Sequence, residues 1–223
     1  MQMNHEEDET SVVPAADAKQ LAIEVASFAA SAIPYIGGPI SNVLSGVGTV
    51  RRINRVREIV DLLAKDLAGF KSDVTEKYVR TEEFEELLER TLRQGADERS
   101  EQKRRIYAAF LADDIKAPGP SYDEKLRFLR TLERLQPDHL TVLKALSAQP
   151  EANPGSMGSP SQTLSRRLPQ MSEAHITELV AQLNDMRLTN LQSLKVMMTG
   201  RGAADLRHSV TEYGHRLFKY LHG

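Results

Sequence analysis

At 223 residues, with 40% hydrophobic and 27% charged residues, the chain can form one large domain or two small ones around a buried core. A formal net charge of -2 does not indicate a polyanionic partner for the molecule as a whole. The absence of cysteine excludes disulfides, thiolate catalysis and cysteine-based zinc or iron–sulfur sites.

The N-terminal segment, residues 1–17, is predicted to be a disordered acidic tail. It has few groups that can be buried and carries five acidic residues, Glu6, Glu7, Asp8, Glu9 and Asp17. It lacks the basic start and the short apolar stretch of a secretion signal. We therefore expect a cytoplasmic location, with an association at the inner membrane left open by the segment that follows.

The next segment, residues 25–50, contains no charged residue and is followed by a basic cluster. Within residues 21–50 the pattern predicts two small-residue apolar helices that are separated by the helix-breaking sequence PYIGGP. The first helix is apolar nearly all round, which favours burial. Each arm is about ten residues, short of the roughly 20 that a helix needs to span a bilayer.

Two interpretations of this hairpin remain open. In the first, it contacts a membrane or a partner protein, and the arginines contact lipid head groups. The candidate contact residues are Pro34, Gly37, Gly38, Pro39, Arg51, Arg52 and Arg55. In the second, which we favour, the two arms pack closely inside a helical bundle and the arginines lie on a solvated helix face.

A helical domain is predicted over residues 18–136. Its clearest element is a long helix whose apolar residues recur every three or four positions: Ile53, Val56, Val60, Leu63, Leu67, Phe70 and Val74. Thr81 is a predicted cap for a helix that buries Phe84. Further amphipathic helices are predicted over 98–116 and from Ser121 onwards.

The remaining residues, 137–223, predict a winged helix-turn-helix-like domain. A flexible loop is expected over 148–162, then a short helix over 164–168 and a helix from Ser172 to Met186. A β-hairpin is predicted from the strand-compatible segments 188–198 and 206–210, joined by a turn at 199–202. The fold class is thus mainly α: an N-terminal helical bundle followed by a winged-helix-like domain with one β-hairpin.

A winged helix suggests DNA binding, since its second turn helix enters the major groove. Here that helix carries three exposed carboxylates, which oppose contact with phosphates. The candidate nucleic-acid contacts lie instead in the wing and beside the turn: Arg166, Arg167, Lys195, Arg201 and Arg207. We favour a protein-contact or dimerisation role for this domain over DNA binding.

Catalytic and cofactor motifs are not found in the sequence. Glu212 and His215 form a single possible metal-ligand pair one helical turn apart, without the rest of a three- or four-ligand set. Neither a phosphate-binding loop nor a GxSxG elbow occurs. We therefore predict no enzyme activity, no metal or other cofactor and no small-molecule substrate.

The order of features resembles a bacterial protein group. The segments IPYIGGPI, RRINRVREIV, YAAFLADDI and LERLQPDHLTVLKAL, within residues 20–147, are similar to the abortive-infection alpha family. The closing MTGRGAADLRHSVTEYGHRLFKYL, within residues 160–223, resembles the hairpin and final helix of winged-helix modules. The first resemblance implies a host protein that limits phage growth.

Together these features predict a non-enzymatic bacterial interaction protein that acts through protein or membrane contacts, with self-association or a protein partner expected. The alternative is a transcriptional regulator that binds DNA through its wing.

Overall fold

Helices form most of the chain in the computed structural model, which describes residues 15–32, 35–68, 73–150 and 156–220. The chain divides into two units, Met1–Tyr122 and Asp123–Gly223. The sequence-based boundary at 136/137 lies one helix later. Pro34, nearly all of the predicted tail and the centre of the predicted 148–162 loop fall outside the described residues.

The first unit contains six helices in the part of it that is described. They are α1 (Ala15–Ala32), α2 (Gly37–Gly46), α3 (Val50–Asp66), α4 (Asp73–Val79), α5 (Glu82–Asp97) and α6 (Glu101–Lys116). Helix α3 packs on α1, α5 and α6. Its predicted apolar stripe is confirmed from Ile53 to Leu67, all of them buried. The predicted continuation to Val74 as one helix is wrong, because α3 ends at Asp66 and Val74 belongs to α4. Phe70 lies outside the described residues.

Local capping signals set the start of α5. The Thr81 hydroxyl accepts a hydrogen bond from the backbone N–H of Phe84 at 3.3 Å, and Phe84 is 1% exposed. The acidic residues of the first turn suit the positive end of the helix dipole. The predicted cap and the predicted buried face are therefore both confirmed.

The second unit holds α7 (Tyr122–Arg134), which begins at the boundary, and α8 (Pro137–Ser147), α9 (Pro160–Arg167), α10 (Glu173–Asp185), α11 (Gly200–Ala204) and α12 (Glu212–Tyr220). A two-stranded antiparallel sheet joins β1 (Met157–Gly158) to β2 (Met198–Thr199). The short helix predicted over 164–168 is confirmed as α9, but it begins earlier, because Ser159 and Gln162 form a capping box at its start. The predicted loop thus ends before residue 160.

The predicted β-hairpin is wrong. Residues 200–204 form α11, and 207–209 form a 3-10 helix where the return strand was expected. Thr199 caps α11 by accepting from the N–H of Gly202 at 3.2 Å, so the TGRG sequence starts a helix and not a turn. Of the expected pairing, one isolated bridge between Thr189 and Val210 is found among the described residues.

Asn184 explains why the segment after α10 does not need a strand partner. Its side chain accepts from the N–H of Leu191 at 3.1 Å and donates to the carbonyl of Leu191 at 2.9 Å. It also accepts from the Thr189 hydroxyl at 2.7 Å. One amide thus satisfies the backbone groups that a neighbouring strand would otherwise pair.

Replacing Asn184 with alanine should lower the free energy of unfolding of the second unit by about 1–3 kcal/mol, because the N–H and C=O of Leu191 lose their partner. Asn190→Ala, at an exposed side chain in the same segment, is the control and should change it by less than about 0.5 kcal/mol. Urea denaturation measures both. Equal effects of the two variants would contradict this account of the segment.

Candidate contact surfaces

The two small-residue helices of the uncharged segment pack directly on each other. A Cβ atom added to Gly37 would lie 2.6 Å from the Cβ of Ala30, so α1 and α2 approach too closely for any larger residue. The contact buries Val25 and Ala29 from α1 and Ile40 from α2. The hairpin therefore packs within the first unit, and no helix in the described ranges is both long and apolar enough to cross a membrane.

Burial of α1 is incomplete, contrary to the expectation from its all-round apolar pattern. Ile23 is 61% exposed and Phe28 is 44% exposed, on different sides of the helix. The reason is that α1 has α2 and α3 as its main neighbours, so its outer side is not covered within the unit. The sequence did not indicate which side of α1 is exposed, because its apolar pattern leaves no clear polar face.

Ile23 borders an apolar groove of about 500 Å³ between α1, α2 and the start of α3. We call it the α1–α2 groove. Of its lining side chains, Lys19 alone is charged. The lining residues are Ala18, Lys19, Ala22, Ile23, Ser41, Leu44, Ser45, Val47, Gly48 and Ile53.

The arginines predicted to face lipid or a partner are mostly used inside the first unit. Arg52 donates to the carboxylate of Asp97 at 3.0 Å, and Arg55 donates to the carbonyl of Ala96 at 3.1 Å. Both acceptors lie at the C-terminal end of α5, where arginine suits the negative end of the dipole. Arg51 remains exposed.

The remaining predicted contact residues of the hairpin differ in environment. Gly38 is exposed with open space beside it, and Pro39 is half-buried as the third residue of α2. In the segment between α1 and α2, Tyr35 has a positive φ of 76°.

Arg167, a predicted nucleic-acid contact, is a structural residue. Its guanidinium donates to the backbone carbonyls of Ala145, Gln149 and Ala204 at 2.7, 3.2 and 2.8 Å. These bonds satisfy the carbonyls at the end of α8 and of α11. Arg167 therefore joins three segments of the second unit through its charged group.

Arg207 is also held internally. Its guanidinium makes two hydrogen bonds with the carboxylate of Asp205, each 2.8 Å, and a third with the side chain of Gln149 at 3.0 Å. The hydrogen bonds from Arg207 lower the pKa of Asp205 to about 2. Of the other predicted contacts, Arg166, Lys195 and Arg201 are exposed. Two of the five predicted contacts, Arg167 and Arg207, are thus held by hydrogen bonds within the second unit.

A cluster that sequence reasoning missed lies in the same unit: Arg127, Arg130 and Arg134 on α7, and Arg187 just after α10. The signal available in the sequence was the i, i+3, i+7 spacing of the first three in EKLRFLRTLER. Arg187 has a φ of 59°, a left-handed conformation that costs a non-glycine residue about 1–2 kcal/mol. No local pattern indicates its proximity to α7.

No group of three or more His, Cys, Asp or Glu side chains in the described ranges is arranged to hold a metal ion. Comparison with known proteins adds no further information: no protein-family model, no curated protein and no solved structure matches this chain.

The close contact of α1 with α2 predicts opposite effects at two adjacent glycines. Gly37→Ala should lower the free energy of unfolding of the first unit by about 1–3 kcal/mol, because its Cβ would overlap that of Ala30. Gly38→Ala, next to it in open space, should raise it by about 0.4–1 kcal/mol through the less flexible unfolded chain. Thermal and urea denaturation distinguish them, and a destabilising Gly38→Ala would contradict the packing.

The Arg207–Asp205 pair predicts a carboxyl titration near pH 2. Because the folded pKa lies below the ordinary 3.8, the pair stabilises the fold above about pH 4, and this contribution is lost as the pH falls through 2. In Arg207→Ala the pKa of Asp205 should rise towards 3.8, and in Arg201→Ala it should stay near 2. An NMR pH titration measures the pKa of Asp205 in the unsubstituted protein and in both variants. An unchanged pKa in Arg207→Ala would contradict the Arg207–Asp205 pair.

Proposed function

We propose that this protein is a non-enzymatic interaction protein whose first unit binds a helical segment of a partner protein in the α1–α2 groove. The observation that carries the proposal is the exposure of Ile23, 61%, at the edge of a groove of about 500 Å³ with nearly all of its lining uncharged. Single exposed apolar residues are common on protein surfaces, but an exposed apolar side chain beside an apolar groove is typical of a binding site.

The chemistry of the groove favours an amphipathic helix with an apolar stripe and acidic flanks. An apolar groove binds such a helix through apolar residues spaced three and four positions apart. The one charged side chain in its lining is positive. Lys19 lines it, and α3 begins beside it with Arg51 and without an acidic residue in its first turn.

The start of α3 adds to this positive potential. Thr49 precedes the helix but its side chain accepts no capping hydrogen bond. The first-turn N–H groups of α3 therefore keep the partial positive charge of a helix N-terminus, which attracts a carboxylate. Acidic residues on the partner would pair with these groups and with Lys19.

A protein partner fits this surface better than a lipid bilayer does. Peripheral binding to anionic lipid needs free basic residues beside the apolar surface. Arg52 and Arg55, which the sequence offered for that role, contact the end of α5. We therefore propose a cytoplasmic protein that assembles with another protein, and binding at the inner membrane is an outcome that the experiment below tests.

Phage defence is the biological role that we propose, on the resemblance to the abortive-infection alpha family. In that role, binding of a partner in the groove would couple the protein to the response of the infected cell. The alternative, a DNA-binding regulator, would rely on Arg166, Lys195 and Arg201, which are exposed, since Arg167 and Arg207 bond within the second unit.

A photo-crosslinking amino acid at position 23 tests the groove, and the same residue at position 28 is its control. Both positions are exposed and apolar on α1, but only Ile23 lines the groove. In the bacterial host, position 23 should give an adduct with a second protein, position 28 should not, and Lys19→Glu should reduce the adduct severalfold by repelling acidic residues. Mass spectrometry identifies the adduct.

Three results would contradict the proposal. Equal adducts from positions 23 and 28 would show non-specific contact. An adduct with the mass of two copies of this chain would indicate self-association and not the binding of a partner protein. Co-sedimentation of the full chain with anionic vesicles, if weakened by Ile23→Asp, would indicate that the groove binds a membrane and not a protein.

A further inference from the structure

The second unit contains an arginine-lined pocket of about 370 Å³ between α7 and the end of α10. We call it the arginine pocket. Four of its seven lining residues are arginines, and one is acidic. The lining residues are Arg127, Arg130, Thr131, Arg134, Asp185, Met186 and Arg187.

The geometry of α7 places three of these arginines on one side of the helix. Positions 127, 130 and 134 are separated by three and four residues, so they lie within about 60° of each other around the helix axis. Arg187 reaches the same pocket from a different element, since it follows the last turn of α10. Guanidinium groups thus converge on one space from two directions.

Ion pairing distinguishes the arginines of this pocket from most other arginines in the described part of the chain. Among the described residues, no carboxylate forms an ion pair with any of the four. Most other arginines for which contacts are described are paired with acidic side chains: Arg52, Arg57, Arg80, Arg90, Arg93, Arg104, Arg105, Arg207 and Arg216. Four like charges that share a pocket repel one another, and a bound anion would remove this repulsion.

The backbone at Arg187 is a second, independent observation. The N–H groups of Arg187 and Leu188 bond to the carbonyls of Asn184 and Leu183 at 2.8 and 3.0 Å, which is the Schellman pattern at a helix C-terminus. The left-handed residue in this pattern is usually glycine. Here the residue is an arginine with a φ of 59°, a conformation that raises the free energy of the backbone relative to glycine.

Tyr213 holds the α7 side of the pocket in place. The guanidinium carbon of Arg127 lies 5.0 Å from the centre of the Tyr213 ring, within the range of a cation–π contact. The hydroxyl groups of Tyr213 and Thr131 form a hydrogen bond of 2.8 Å. These contacts fix one arginine and one hydroxyl of the lining before any ligand binds, which lowers the entropy cost of binding.

From these observations we propose that the arginine pocket binds a compact oligophosphate, such as the di- or triphosphate group of a nucleotide. Guanidinium groups bind phosphate oxygens through paired, charge-assisted hydrogen bonds. Four guanidinium groups that line one open pocket from two elements favour several phosphates close together over a single one. Asp185, the one acidic lining residue, would accept from a ligand hydroxyl or amine and not face the phosphates.

Phosphates also occur along a nucleic-acid strand, so the experiment compares both sources. Binding of inorganic tripolyphosphate, orthophosphate and a 20-nucleotide single-stranded DNA to the full chain is measured by calorimetry at one ionic strength, since such affinities depend steeply on salt. Tripolyphosphate should bind more tightly than either of the other two. It should also raise the Tm of the protein in a concentration-dependent way.

One double variant and a matched double control locate the binding site. Arg130→Gln with Arg134→Gln should weaken tripolyphosphate binding roughly a hundredfold, or about tenfold for each lost guanidinium. Lys195→Gln with Arg201→Gln removes the same charge from exposed positions outside the pocket and should leave the binding unchanged.

Arg187→Gly separates a binding role from a structural one. It should weaken tripolyphosphate binding about tenfold and at the same time raise the Tm by about 2–8 °C, because glycine relieves the left-handed backbone. Unchanged tripolyphosphate binding in this variant, or an equal loss in the pocket variant and the control, would overturn the proposal. Tighter binding of the DNA than of tripolyphosphate would also overturn it, in favour of a nucleic-acid backbone.

Discussion

Burial of one face of α3 is the constraint on which the first unit depends. Ile53, Val56 and Leu63 are almost completely hidden where α3 packs on α1, α5 and α6. The charged residues beside this face are then brought against the same neighbours. Arg104 of α6 donates to the carboxylate of Glu58 at 2.7 Å, and Arg52 and Arg55 meet the end of α5. The apolar contact therefore decides which charges are paired.

Internal hydrogen bonds also distinguish two groups of arginines in the second unit. Arg167 satisfies three backbone carbonyls and Arg207 is held by Asp205, so neither side chain is available to a partner without breaking internal bonds. The arginine pocket, in contrast, has a formal surplus of three positive charges, four arginines against one aspartate. An uncompensated charge cluster is costly to the protein alone, which is why we infer an anionic ligand there.

The two proposed surfaces use different chemistry. The α1–α2 groove is apolar with one lysine in its lining and suits a helix, whereas the arginine pocket is polar and suits phosphate groups. Each lies within one unit of the chain. Binding at either surface can therefore be removed by point variants in its own unit, and the two proposals can fail independently.

Sequence patterns determined most of the longer helices and some of their starting points, because periodicity and capping act over one or two turns. The stripe from Ile53 to Leu67 and the caps at Thr81 and Ser172 follow from residues within a few positions of each other. The hairpin prediction failed because Asn184 pairs with Leu191 in place of a strand, and Thr199 begins a helix. A preference for strand in a short segment is weaker than such specific bonds.

The tertiary structure alone determined which charged side chains are paired and where the candidate sites lie. Arg52 and Arg187 have the same side chain, but one meets Asp97 and the other borders a pocket with three more arginines. The position of each residue relative to helices distant in sequence makes this difference, and no local pattern encodes it. The sequence by itself determined which faces are apolar, while packing determined that Ile23 remains exposed beside a groove.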